Sequence, residues 1–183
     1  MATTVDKLEK EYAEAQRRHH EGIAAHDQAV AALKEVVARA ADAPAVGWPK
    51  LAAEHAQITA LAAMASAAVA ILAGREHAAL VAVRRQEVAE AEEISAKARE
   101  ARLTAGRAAD AADHAVRRLI AGTDPEAKAL GGQEAEDYRA RVFAQQAELR
   151  SRARSKVRPA TVAGEALRRA REELAAVEAS APS

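Results

Sequence analysis

The sequence contains no cysteine, and this absence excludes disulfide scaffolds, thiolate metal sites and cysteine nucleophiles. Aromatic residues make up only 2% of the 183 residues, so platforms for base stacking and aromatic ligand cages are not expected. Five prolines and eight glycines leave room for few turns. Strand-forming residues never alternate with polar residues over a useful length, which argues against a β-sheet.

Charge and motifs exclude further classes of protein. The chain has 27 basic and 27 acidic side chains, so its formal net charge is zero. The six histidines lack the helical spacings of metal ligands, and no nucleophile elbow or glycine-rich phosphate loop occurs. We therefore expect a protein that is not an enzyme and that needs no cofactor or metal. The N-terminal residues lack a signal-peptide pattern, so we expect a cytoplasmic location, or a virion location if the protein comes from a phage.

Alanine is abundant where other residue types are scarce. The chain has 54 alanines, whereas Leu, Ile, Val and Phe together number 32. Ala, Glu, Lys, Leu and Arg account for 113 of the 183 residues, which is typical of long helices and coiled coils. We predict an all-α fold: a single elongated unit over residues 1–183, built as an antiparallel helical hairpin or coiled-coil bundle around a long second helix.

Proline and glycine clusters mark the ends of the predicted helices. Breaks fall at residues 43–49, at residues 121–126 and at Pro159, with a weaker one at residues 131–132. The breaks predict four helices, over residues of about 4–41, 50–121, 133–157 and 160–179.

The spacing of apolar residues predicts how these helices pack. In the first helix, positions three and four apart run from Val5 to Ala40 and include Ile23 and Val37. Folding back at the first break places Ile23 opposite Ala68, and folding back at the second places Ala112 opposite Val142. The second helix also carries small or apolar residues at intervals of seven, which allow close approach of a neighbour: Ala91, Ala98, Ala105, Ala112 and Leu119.

Residues 56–74 of the second helix carry no charge. Their length would suffice to span a membrane, but alanine dominates and polar residues interrupt the run, so we expect no membrane span. A helix that is apolar on all sides is otherwise buried on all sides, and the first helix covers only one side. We therefore predict a contact with a second copy of the chain or with another protein. The predicted interface residues are Ile58, Leu61, Met64, Ala68, Ile71 and Leu72.

Residues 139–158 form a basic stretch that contains a single acid, Glu148. Like charges four residues apart repel one another on a helix, so an anionic partner is expected. This partner is either the phosphate of a nucleic acid or an acidic segment such as residues 87–93 of the second helix. The predicted contact residues are Arg150, Arg152, Arg154, Lys156 and Arg158.

Trp48 lies in the first break, within Gly47-Trp48-Pro49. A lone tryptophan in such a turn either packs over the end of a bundle or serves as an exposed anchor for a partner. We favour a non-enzymatic structural, scaffolding or adaptor protein that self-associates in a larger assembly, such as a phage or bacterial one. The alternatives are a nucleic-acid-associated protein that uses the basic stretch and a small helical inhibitor of a protein target.

Overall fold

Helices account for nearly all of the structure. The structure is a computed structural model that describes residues 4–181, and 94% of these residues are helical, with no strand among them. The all-α prediction is confirmed. A short 3-10 turn joins the first two long helices, and a one-turn helix lies between the second and third. The helices are α1 (Thr4–Asp42), α2 (Trp48–Ile120), α3 (Pro125–Ala129) and α4 (Gly132–Ala179), and the 3-10 turn is Ala45–Gly47.

Three long helices are present rather than the predicted four, because α4 continues through Pro159. We predicted a break there, since proline lacks an N–H group and its ring crowds the carbonyl four residues earlier. That carbonyl belongs to Ser155, and both residues are exposed, so water can satisfy the freed acceptor. Ala163, just beyond the proline, is buried. Packing of this segment therefore offsets the local cost of the proline.

Among the described residues the chain forms two compact units. The first unit contains α1, the part of α2 up to Glu87 and the end of α4 from Glu172 onwards. The second unit, Val88–Arg171, contains the rest of α2, α3 and most of α4.

In the first unit α1 lies antiparallel to α2. Arg39 near the end of α1 pairs with Glu54 near the start of α2, and His19 Nδ1 lies 2.5 Å from Glu76 Oε2. Between these pairs, Gly22 faces Leu72. The observed register is thus close to the predicted one.

Two residues that we predicted to face α2 are more exposed than the residues just before them in the chain. Val37 is 54% exposed, whereas Val36 beside it is 1% exposed. In the same way Gly22 is half-buried, while Ile23 is exposed. The covered positions follow an uninterrupted three-four spacing without the step of four from His19 to Ile23 that we predicted. They are His19, Gly22, His26, Ala29, Leu33, Val36 and Ala40.

The end of α4 joins the first unit through ion pairs with α2. Arg84 Nη1 lies 3.0 Å from Glu173 Oε2, and Arg85 Nη2 lies 2.9 Å from Glu178 Oε1. Within α2, Arg84 Nη1 also lies 2.8 Å from Glu87 Oε2. The hydrogen bond to Glu87 is the main reason that the pKa of Arg84 lies above its ordinary value. These pairs lie beyond the charge-free run, so the end of α4 does not cover that run.

In the second unit α4 is antiparallel to α2, but its register differs from the prediction by more than one helical turn. We predicted Ala112 opposite Val142. Asp113 instead accepts hydrogen bonds from Gln146 Nε2 at 2.8 Å and from Arg150 Nε at 2.9 Å. The sevenfold alanine positions of α2 are nevertheless half-buried, as their spacing predicted.

The connection between α2 and α4 explains this shift. Asp124 is buried and caps α3, accepting hydrogen bonds from two backbone N–H groups at 3.1 Å each. The hydroxyl of Tyr138 donates to the same carboxylate at 3.3 Å. Gly122 and Gly132 flank the connection with φ angles of 64° and 53°, which favour glycine. The first turns of α4 therefore pack beside α3, and later residues of α4 meet α2.

Candidate functional site

The charge-free run of α2 is largely open to solvent. Leu61, Met64 and Ile71 are between 52% and 69% exposed, and no residue of the run is fully buried. We call the exposed side of this run the apolar face. It consists of Ala60, Leu61, Met64, Ala67, Ala68 and Ile71.

The six predicted interface residues divide into two groups. Ile58 and Leu72 are half-buried on the side that faces α1, and Leu72 lies against Gly22. The other four belong to the apolar face. The structure therefore separates residues that hold the α1–α2 pair together from residues that remain available to a partner.

The apolar face has the spacing of a helix–helix seam. Its middle residues follow one another at intervals of four and three: Ala60, Met64, Ala67 and Ile71. This spacing is typical of a helix that packs against another helix. Ala60 and Ala67 were absent from the predicted interface, although the three-four pattern already contains them.

By length and composition, one segment of α2 is apolar enough to cross a membrane. A stretch of 18 residues in this segment has a mean hydropathy of 1.9, and none of these residues is buried. Long apolar helices of soluble proteins pass the same test, so the finding leaves a bilayer and a protein surface as competing occupants of the apolar face.

Trp48 lies at the start of α2 and is 59% exposed. Its indole N–H donates to the carbonyl of Ala43 at 3.1 Å, which fixes the ring in the turn. A groove of about 430 Å³ opens beside the ring. The groove is lined by Val36, Val37, Ala40, Trp48, Leu51, Ala52 and His55. The tryptophan is thus positioned by the turn but only partly covered.

The predicted basic stretch is partly neutralised by acids. Arg150 Nη2 lies 2.8 Å from Asp113 Oδ2, and its hydrogen bond is the main reason that the pKa of Asp113 lies below its ordinary value. Arg152 pairs with Glu148 at 2.5 Å. Within residues 4–181 no ion pair involves the other three predicted contacts, Arg154, Lys156 and Arg158. In the acidic segment that we suggested as the partner, residues 87–93, Glu92 pairs with Arg171 at 2.6 Å, and Arg171 is not one of the predicted contact residues.

The structure places a second basic segment against the first. Residues 97–110 of α2 line two grooves together with residues 149–157 of α4. We call the basic side chains around these grooves the basic band. It consists of six residues that line the grooves, Lys97, Arg102, Arg107, Arg152, Arg154 and Lys156, and of Arg99 and Arg158, which are next to groove residues in the chain. The four residues from α2 were missed in the sequence because only the observed register brings the two segments together.

Among the described residues, no group of three or more histidines and carboxylates is placed to hold a metal ion. Comparisons with protein-family models, with curated proteins and with solved structures found no match. The function is therefore inferred from the apolar face and the basic band.

Proposed function

We propose that this protein is a structural or scaffolding component that self-associates through the apolar face of α2. The exposed, charge-free side of this helix is the observation that supports the proposal most strongly. Monomeric proteins leave few contiguous apolar patches of this kind in water, and larger patches mark sites of association.

A second copy of the chain fits the apolar face better than a bilayer does. The segment of α1 packed beside the run carries Asp27, Lys34 and Glu35. Bringing such charges to the middle of a bilayer costs about 2.5–3.5 kcal/mol each. Two apolar faces, in contrast, would meet without removing any charge from water. Alanine on both sides would also let the two backbones approach closely.

Two copies related by symmetry can use the same surface for their contact. In a two-fold dimer the same surface contacts itself, so one self-complementary seam is sufficient. The seam alternates small and large residues, with Ala60 and Ala67 next to Met64 and Ile71. Large side chains of one copy can therefore pack over alanines of the other.

Light scattering on a sizing column tests this proposal. We expect the purified chain to be a dimer or larger at micromolar concentration and Ala68→Glu to shift it to monomer, because the glutamate would lose its water in the contact. Ala24→Glu is the matched control, since Ala24 is exposed on the outer side of α1. A chain that is monomeric at all concentrations and that floats with phosphatidylcholine vesicles would contradict the proposal and favour the bilayer.

A further inference from the structure

We propose that the basic band of the second unit binds the phosphate backbone of nucleic acid. Residues 97–110 contain four basic and two acidic side chains, and residues 151–161 contain four basic and no acidic ones. The two segments together have a formal charge of +6, although the whole chain is neutral. Such a local concentration of positive charge attracts polyanions even when the net charge is zero.

Most of the charges in the band have no acidic partner within residues 4–181. Lys97 pairs with Glu93, and Arg152 pairs with Glu148. Within residues 4–181 no ion pair involves the remaining members: Arg99, Arg102, Arg107, Arg154, Lys156 and Arg158. Six unpaired cations on two adjacent helices repel one another, and phosphates would remove that repulsion.

The two grooves supply side chains that suit phosphate oxygens. One groove, of about 750 Å³, combines the hydroxyls of Thr104 and Ser155 with three basic side chains and one carboxylate: Lys97, Arg152, Lys156 and Glu100. The other, of about 400 Å³, brings three arginines together with one carboxylate: Arg102, Arg107, Arg154 and Asp110. Basic side chains outnumber acidic ones by two in each groove. Arginine, lysine, serine and threonine are the side chains that contact DNA phosphates most often.

Nucleic acid fits this arrangement better than an acidic protein. An acidic protein has to place a carboxylate opposite each basic side chain, whereas a nucleic acid carries a phosphate at every nucleotide. A phosphate backbone needs only a high density of cations. No aromatic residue occurs in residues 97–110 or 151–161, so bases have no side chain to stack on. Binding should therefore be independent of sequence.

Fluorescence anisotropy with a labelled duplex of about 30 base pairs tests the proposal over roughly 50–200 mM salt. We expect binding that weakens steeply with salt. The triple variant R154A/K156A/R158A should bind roughly tenfold more weakly and lose about two to three units of salt slope. R102A/R107A should also weaken binding, although these residues are distant in sequence. R154K/R158K should retain binding, and circular dichroism checks that each variant remains helical.

The double variant R17A/R18A is the control, because it lowers the net charge by the same two as R102A/R107A but lies in the first unit. Equal weakening by both double variants would overturn the proposal, since net charge alone would then explain the binding. Absence of binding at about 50 mM salt would also overturn it. Displacement of the duplex by polyglutamate at equal charge concentration would also overturn the proposal and would favour an acidic protein as the partner.

Discussion

A Cβ atom on Gly22 of α1 would lie only 2.9 Å from Cδ1 of Leu72 on α2. This distance is shorter than side-chain contacts normally allow, so a larger residue at position 22 would force Leu72 to move. The glycine thus leaves the space that the end of the Leu72 side chain occupies. The neighbouring Ile23 is 37% exposed, so the residue that faces Leu72 is the glycine.

Substitution of Gly22 tests this close contact. In an open helix position, Gly→Ala stabilises a protein by about 1 kcal/mol. We expect that gain for Gly164→Ala, since a Cβ there has no neighbour within 4 Å. Gly22→Ala should gain clearly less, because Leu72 must rotate, and Gly22→Leu should lose about 1–3 kcal/mol. Urea unfolding measures all three. Equal stabilisation by the two alanine variants would show that the contact is not tight.

The packed face of α1 could be predicted from the sequence only in part. The three-four spacing correctly predicts a helix that packs along α2. A step of four residues from His19 places Ile23 and, fourteen residues later, Val37 on the packed face, and the structure selects Gly22 and Val36 instead. Which of two neighbouring residues of α1 packs on α2 depends on how the two helices lie against each other. The sequence of α1 alone does not give that arrangement.

The cap formed by Asp124 provides a second prediction. Its carboxylate accepts hydrogen bonds from the first turn of α3 and from Tyr138, and it is buried. We expect Asp124→Ala to lower the free energy of unfolding by about 1–2 kcal/mol, because the cap is lost and buried donors are left unsatisfied. Tyr138→Phe should cost less, because the carboxylate keeps its two backbone donors.

Urea unfolding measures these losses. Asp137→Ala is the control, since Asp137 is an exposed aspartate on α4 whose bond to Gln133 lies within the same helix. An Asp124→Ala variant as stable as this control would show that the connection does not depend on the cap.

The pair between Asp113 and Arg150 predicts a pH dependence. Hydrogen bonding to Arg150 and Gln146 lowers the pKa of Asp113 below its ordinary value of 3.8. A carboxylate whose pKa is lower in the folded state stabilises the fold above its unfolded pKa, and this contribution is lost as the pH falls through the folded pKa. The wild-type chain should therefore be more stable than Asp113→Asn near neutral pH, and the difference should shrink in acid. Urea midpoints measured across this range check the prediction, and a difference that grows in acid would contradict it.

The candidate surfaces also differ in how far the sequence predicts them. Residues 56–74 and the stretch from Arg150 to Arg158 are visible in the sequence because each is continuous in the chain. The contribution of Arg102 and Arg107 to the basic band is not visible, since it depends on the register between α2 and α4. The connection around Asp124 sets that register, and helix periodicity does not predict its geometry.

Self-association through the apolar face is tested most directly by distances between copies. The chain lacks cysteine, so one introduced cysteine can carry a single spin label. Electron-spin distance measurements on Ala67→Cys should give a short, narrow distribution between copies, because Ala67 lies in the middle of the seam. Ala24→Cys, on the outer side of α1, should give a longer distance. No intermolecular distance at Ala67, or one no shorter than at Ala24, would contradict self-association through this face.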